Sequence, residues 1–391
     1  MLTTALYVLF TLVLATNIAS AVYLLIATRR VEQFRFGTRS EGAFHPPVTV
    51  FKPVCGIETN LYENLGSFCR QDYREYQVIF GVRDGADPAI PVIERILEEN
   101  PGRDISLVID DTLAGPNYKA SNLNNMDRRA KHPYLIIADS DMRVDKHYIA
   151  SVVSPFTDPD VGVVTCLYKA SPAGGLASTL GSMFINSWFL PSVLVSAGMG
   201  KIDFALGATM AVRRDVLEKI GGFKTLAAYL ADDHMLGKLV SACGFKVVLS
   251  NYIVENVVFE KDLAALFRHE LRWARTVRTI EPLGHAFSFV MYGVPLSFFG
   301  ALLIDLTVDW DWFEAAVVLL AVGLRVRIHA TVAKKIGLAP GSHPLWLVPL
   351  RDILSFLIWG ASFLGRRVNW KGMDFTVDSK GLMTMTEEKQ G

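Results

Sequence analysis

Two aspartates one residue apart, Asp139 and Asp141, stand directly behind the apolar run YLIIA at residues 134–138. About ninety residues later comes Asp232-Asp233-His234, and further on Arg268-His269-Glu270-Leu271-Arg272-Trp273. A buried strand that ends in two carboxylates can hold a divalent cation at the C-terminal edge of a sheet, the edge where α/β domains bind ligands. Strand alternation predicts that Asp139 and Asp141 share a face. Hard oxygen ligands of this kind suit Mg²⁺ or Mn²⁺ that is also bound by a diphosphate. A separate carboxylate, Asp233, is suited to take a proton from an attacking hydroxyl. In residues 263–280, Arg268, Arg272 and Arg275 fall at i, i+4 and i+7, one cationic stripe on a predicted helix. Together these are the parts needed to move a sugar off a nucleotide.

Each part also has a purely structural reading. Asp-Ser-Asp is a short pattern that occurs by chance, and its place behind a buried strand is what favours the metal. Asp232-Asp233 precedes a predicted helix at 235–242, where carboxylates cap the N-terminus and oppose its dipole. Both roles are compatible, because a helix start can position a base; His234 is read as supporting. A stripe of arginines near a membrane can serve lipid headgroups alone, and Trp273 can be an interfacial anchor. The pairing of Arg272 with Trp273 points instead to a role in the site. Asp84 and Asp87 lie in GVRDGADP at residues 81–88, behind the second predicted strand. Asp84 can accept hydrogen bonds from a base or ribose, or simply hold the turn; Asp87 is read as the cap before Pro88.

The elements that must position these groups alternate. Strands are predicted at 48–51, 77–82, 105–108, 134–138 and 161–168. Helices are predicted at 61–71, 88–100 and 146–156, with a loop and short helix at 115–129. This is the pattern of an α/β domain with a largely parallel sheet flanked by helices. It occupies residues 46–280, long enough for one such domain.

The 391 residues are 51% hydrophobic, and a mean hydropathy of +0.30 exceeds that of an ordinary soluble protein. The excess lies at the ends. Residues 5–27 carry no charge and are long enough to span a bilayer. Arg29 and Arg30 follow, with no Lys or Arg ahead of the run. That order is the reverse of a signal peptide, so residues 1–30 are expected to be a retained anchor with the following domain cytoplasmic. Further candidate spans are 287–304, 312–324 and 345–364, within a C-terminal membrane region at 285–365. They are separated by an acidic turn at 305–311 and a basic stretch at 325–335. The last span contains Arg351 and Asp352 and is expected to be re-entrant or interfacial. Three full C-terminal crossings would put the basic tail (366–391) outside, against the charge rule, so one segment is expected not to cross. Residues 177–199, interrupted by Asn186 and Pro191, are either a surface helix that admits a lipid or a buried domain helix.

Charge and cysteine content exclude other classes. With 39 basic and 39 acidic residues there is no basic domain to bind nucleic acid. The four cysteines, Cys55, Cys69, Cys166 and Cys243, are far apart and read as free thiols rather than a disulfide or zinc framework.

Asp84, Asp139, Asp233 and Arg272-Trp273 resemble the D, D, D, (Q/R)xxRW series of family 2 and family 21 glycosyltransferases. FKPVCG at 51–56, NLYENL at 60–65, DPAI at 87–90, Lys119 with Asn122-Leu123, RRDVL at 213–217 and the tail around Trp370 resemble the ceramide glucosyltransferase family. FCRQDY at 68–73 and RHELRWART at 268–276 are similar to bacterial hopanoid-biosynthesis glycosyltransferases. The resemblance implies a GT-A-type nucleotide-sugar-binding domain with N-terminal and C-terminal transmembrane helices, in a multi-pass protein of a bacterial inner membrane. It implies a UDP-sugar donor held near Asp84, Lys119, Asp139 and His269, with Mg²⁺ or Mn²⁺ on Asp139 and Asp141. Asp233 is the implied base, with Arg272 and Trp273 beside it and a membrane lipid as acceptor. His269 departs from the motif, which has Gln or Arg there; Arg268 or His269 itself is expected to substitute. Two competing readings are a processive polysaccharide synthase, which would need more spans, and a membrane scaffold, which would not need these residues together.

Overall fold

Residues 48–53 and 76–82 carry mostly apolar side chains on both faces, and almost all are buried. Strands of that kind must be covered on both sides, which is the condition of a parallel sheet between helix layers. The computed structural model describes residues 2–37, 44–307, 311–365, 367–370, 373–378 and 381–385. Asp309 of the acidic turn and Arg366 and Lys371 of the basic tail lie outside the described residues. The chain forms two units. One comprises Met1–Phe34, Gly174–Met199 and Glu260–Arg366; the other comprises Arg35–Ala173, Gly200–Phe259 and Arg367–Gly391.

The second unit is built on eight strands: β1 (Val48–Pro53), β2 (Tyr76–Val82), β3 (Ile105–Ile109), β4 (Tyr134–Ile137), β5 (Met142–Arg143), β6 (Val161–Pro172), β7 (Met210–Arg213) and β8 (Lys246–Val258). Their order is β3-β2-β1-β4-β7-β6-β8-β5. Helices Leu61–Cys69, Ile90–Glu98 and Tyr118–Asp127 connect the first four strands, which run parallel. β7 is antiparallel to both β4 and β6, and β5 is antiparallel to β8. The sheet is therefore mixed, not largely parallel as the sequence suggests. An apolar run marks a buried strand whichever way its neighbour points, so direction is not written in the periodicity.

Parallel register puts the ends of β1, β2 and β4 at one edge: Pro53 lies opposite Gly81, and Phe51 opposite Ile137. A second, three-stranded antiparallel sheet comprises β9 (Arg367–Trp370), β10 (Met373–Val377) and β11 (Met383–Met385). It docks within the same unit: Leu230 N donates to Gly381 O (3.1 Å), and Met383 N donates to Ala228 O (3.0 Å). These contacts brace the chain just ahead of Asp232.

The other unit is helical. Its first helix, Leu2–Gln33, covers the expected anchor. Among the described residues three helices are long and apolar enough to cross a membrane: Tyr7–Gln33, Gly175–Ala197 and Trp312–Lys335. Pro282–Met291 and Gly293–Leu306 together would make a fourth, bent by 68°. Leu347–Ser362 has only 16 residues and buries both Arg351 and Asp352. The Gly175–Ala197 segment contains a π turn, Ile185–Phe189. Pro191 lacks the N–H that Ser187 O would accept from, and Arg325 Nη1 donates to that oxygen instead (3.4 Å).

Asp352 locks this unit. Its carboxylate accepts from Trp188 Nε1 (2.7 Å), Val294 N (2.8 Å), Arg325 Nε (3.0 Å) and Arg325 Nη2 (2.8 Å). Asp352→Ala would leave Arg325 buried without its counterion, at a cost of about 3–5 kcal/mol. Thermal unfolding in detergent should show a large drop in Tm; an unchanged Tm would refute the lock.

Candidate active site

A lysine inside a buried strand needs a reason, because desolvation opposes its charge. Lys52 is fully buried near the end of β1, lies over the Phe68 ring (3.7 Å) and donates to Asp139 O. Burial pulls its ammonium down to about 7, against the opposing pull of Asp141, Asp139 and Glu58. Lys52 thus reports an acidic cluster at the carboxyl edge of the sheet.

That cluster is assembled by a turn. β4 ends at Ile137, and Met142 N donates to Asp139 O (3.2 Å). Asp139 and Asp141 are therefore brought together by a tight turn, not by the strand alternation that the sequence suggests. Asp141 Oδ2 accepts from Asn256 Nδ2 (2.7 Å), and Ser140 Oγ donates to Glu58 Oε2 (2.6 Å). Burial, with Asp139 and Glu58 nearby, pushes the Asp141 carboxyl up to about 7. A buried carboxyl raised by acidic neighbours suits a bound cation, the largest local charge such a site can hold. Among the described residues no three His, Cys, Asp or Glu side chains form a ready-made cage. Two carboxylates fit Mg²⁺ or Mn²⁺ when phosphate oxygens and water complete the shell.

The remaining groups converge on one glycine. Lys119 Nζ pairs with Asp139 Oδ1 at 2.5 Å. Gly207 N donates to Asp233 Oδ2 (2.8 Å). A Cβ added to Gly207 would lie 3.1 Å from Asp233 Oδ2, 3.4 Å from Asp139 Oδ2 and 3.4 Å from Lys119 Nζ. Asp139, Lys119 and Asp233 therefore surround one point. Burial works against the Lys119 charge, yet Asp139, Asp232 and Asp233 outweigh it and raise its pKa. Burial likewise raises Asp233, with Lys119 and the His234 and Gly207 amides pulling the other way.

Asp232 and Asp233 lie in the first turn of helix Asp232–Ala242, not ahead of the helix. Asp232 is buried, accepts from Asn117 Nδ2 (3.3 Å), and is pushed up to about 6 by burial in spite of Lys119. Asn117 Oδ1 also caps Tyr118–Asp127 through Ala120 N (3.0 Å), which fixes Lys119 on the first turn. Asp84 lies at the same sheet edge, exposed beyond β2, with its Oδ1 accepting from Ala86 N (2.9 Å). Asp87 holds the turn, accepting from Gly56 N (2.9 Å) and Ala89 N (2.8 Å).

The predicted residues of the arginine helix belong to the helical unit. Leu263–Ile280 starts at Asp262, which caps Ala265 N (2.7 Å). His269 Nδ1 hydrogen-bonds Glu260 Oε1 (2.6 Å), and its ring lies 4.3 Å from that of Trp273. Arg272 lies in this helix beside Trp273. Arg275 Nη2 donates to Leu364 O (2.6 Å), while Arg278 donates to Ser362 O and Gly365 O. These two arginines cap carbonyls at the end of Leu347–Ser362, a stabilising place for a cation.

Sequence reasoning missed Lys52, Glu58, Asn117, Gly207 and Asn256 as members of this edge. A charged residue inside an apolar run is a signal that could have found Lys52. Gly207 has no side chain to advertise its place, and Asn256 reaches Asp141 only through the pairing of distant strands.

The chain is 23% identical over 231 residues to ceramide glucosyltransferase 1 of Caenorhabditis elegans, covering 59% of this chain and 49% of that protein. It is 31% identical over 134 residues to a ceramide glucosyltransferase of Gibberella zeae, covering 32% and 25%. It spans about half the length, or less, of these curated relatives. A mannosyltransferase from Pyrobaculum calidifontis, solved with GDP-Man and Mn²⁺, shares the fold, with a TM-score of 0.55 and 19% identity over 93% of this chain and 99% of that one. The family model for glycosyl transferase family 21 matches residues 11–383, nearly the whole chain, and the chain belongs to that family.

Proposed function

We propose that this chain is an inverting membrane glycosyltransferase. It transfers a hexosyl group, glucose or N-acetylglucosamine, from a UDP-sugar to a hydroxyl of a ceramide-type or hopanoid-type lipid. The observation that carries this reading is the convergence of Asp139, Lys119 and Asp233 around Gly207 at the carboxyl edge of the sheet. Membership of family 21 and the names of the relatives support it.

In the proposed reaction the acceptor oxygen attacks the anomeric carbon as the bond from that carbon to the diphosphate oxygen breaks. Asp233 takes the proton of the attacking hydroxyl. Lys119 and Lys52 bring positive charge to the sheet edge from which UDP departs, and Arg272 and His269 are assigned to the same leaving group. Asp139 and Asp141 would hold a divalent cation, which supplies charge neutralisation on the diphosphate. Asp84 accepts from the nucleoside. In this reading the protein is a multi-pass membrane chain, a reading its long apolar helices support, with Arg29 and Arg30 on the cytoplasmic side.

Radiolabelled UDP-glucose or UDP-N-acetylglucosamine, incubated with the protein and a membrane lipid extract, tests the reading. One labelled glycolipid is expected; a polymer indicates a synthase, and no product indicates a scaffold. Gly207→Ala places a methyl where the three groups meet. It should lower kcat about tenfold, equivalent to ~1.4 kcal/mol, with Tm held. A wild-type kcat would show that the reacting sugar lies elsewhere.

A further inference from the structure

The helical unit places two buried ion pairs on successive residues of Leu347–Ser362 and satisfies them unequally. Asp352 takes four donors, as described above. Its neighbour Arg351 is fully buried and pairs with Glu270 Oε2 through Nη2 alone. Arg351 Nε and Nη1, and Glu270 Oε1, have no hydrogen-bond partner among the described residues. Glu270 is itself only 4% exposed. Charged groups left partly unpaired out of water are costly. One finished pair beside one unfinished pair points to an outside group that completes the second.

The open atoms define that group. Two donors beside one acceptor match an uncharged head with a carbonyl or hydroxyl oxygen next to a hydroxyl donor. A phosphate would meet the Glu270 carboxylate, and a cation would meet the Arg351 guanidinium; each is repelled. The surroundings suit a lipid. The guanidinium lies over the Phe184 ring (5.0 Å), and Phe184 stacks with Trp273 (6.5 Å). Phe184 directly precedes the π turn, an irregularity frequent at functional sites. Leu180, Met183 and Leu266 belong to the apolar cluster against which Phe184 packs.

We propose that Arg351 and Glu270 bind the polar head of the lipid acceptor, a ceramide-like amide and hydroxyl, inside the helical unit. The proposal rests on the acceptor being a lipid, as argued above. The amide oxygen accepts from Arg351, and the hydroxyl donates to Glu270 Oε1.

The test uses the full-length chain in phosphatidylcholine vesicles with a photoactivatable ceramide, and short-chain ceramide as competitor. Competable labelling is expected for the wild type and for Asp233→Asn. The double variant Arg351→Met/Glu270→Leu replaces the pair by apolar groups of similar size, a change that buried ion pairs often tolerate. Its labelling should fall at least tenfold. Arg351→Lys keeps a charge opposite Glu270 but loses the guanidinium's spare donors, and should label at least threefold less. Labelling of both variants at the wild-type level overturns the proposal, because ordered water would then fill the pair. Absence of competable labelling in the wild type overturns it too. Glucose transfer is measured in parallel: labelling lost in the variants without any transfer by the wild type sinks the enzymatic reading alone. Transfer to ceramide with undiminished labelling in the variants sinks this site alone.

Discussion

Asp233→Asn is expected to remove turnover while leaving UDP-sugar binding close to wild type. Asparagine still offers an oxygen to Gly207 N, while its amide nitrogen takes the place of the oxygen that accepts from His234 N (2.7 Å), so one backbone hydrogen bond is lost. What it lacks is a basic oxygen for the proton of the attacking hydroxyl. General-base removal typically lowers rate ~10²–10⁴-fold. Because the base acts only when the acceptor attacks, the loss should appear in kcat and not in donor affinity. Isothermal titration with UDP-glucose and steady-state kinetics on one preparation separate the two quantities. Near-normal kcat would move the base to Asp232, the buried carboxyl pushed up to about 6 on the same turn.

Asp139→Ala should show the opposite pattern, with donor binding hit first. The substitution removes one proposed cation ligand and the counterion of Lys119 at once. UDP-sugar affinity should fall at least about tenfold, or ~1.4 kcal/mol, and the response to added Mg²⁺ or Mn²⁺ should flatten. Full wild-type activity in excess chelator would end the cation's role and leave Lys52 and Lys119 to neutralise the departing diphosphate.

Legibility in the sequence followed locality. β1, β2 and β4 were visible as apolar runs, because burial on both faces leaves no other pattern. Asp139 was visible because it sits directly behind such a run. Strand alternation was expected to set its geometry with Asp141, but the strand ends at Ile137 and a turn sets it instead. β7 runs against β4, which no periodicity could report. The arginines of Leu263–Ile280 were read as one stripe facing headgroups or substrate, yet Arg275 and Arg278 cap the carbonyls of a helix some ninety residues later. A cationic stripe looks the same in sequence whether it meets phosphate, carboxylate or a helix end. Gly207, Asn117 and Asn256 matter only through what distant strands bring beside them.

The segment Gly381–Met383 bonds to residues 228–230, immediately ahead of the two aspartates of the proposed base. In the order of synthesis it emerges after every helix of the apolar unit. A ribosome-bound chain that has made Asp233 still lacks the strand that braces it, and gains that strand only once the helices have been translated. Completion of the α/β unit is thereby made to wait for the rest of the chain, and under the proposed function a nascent polypeptide has no braced base before its helices exist.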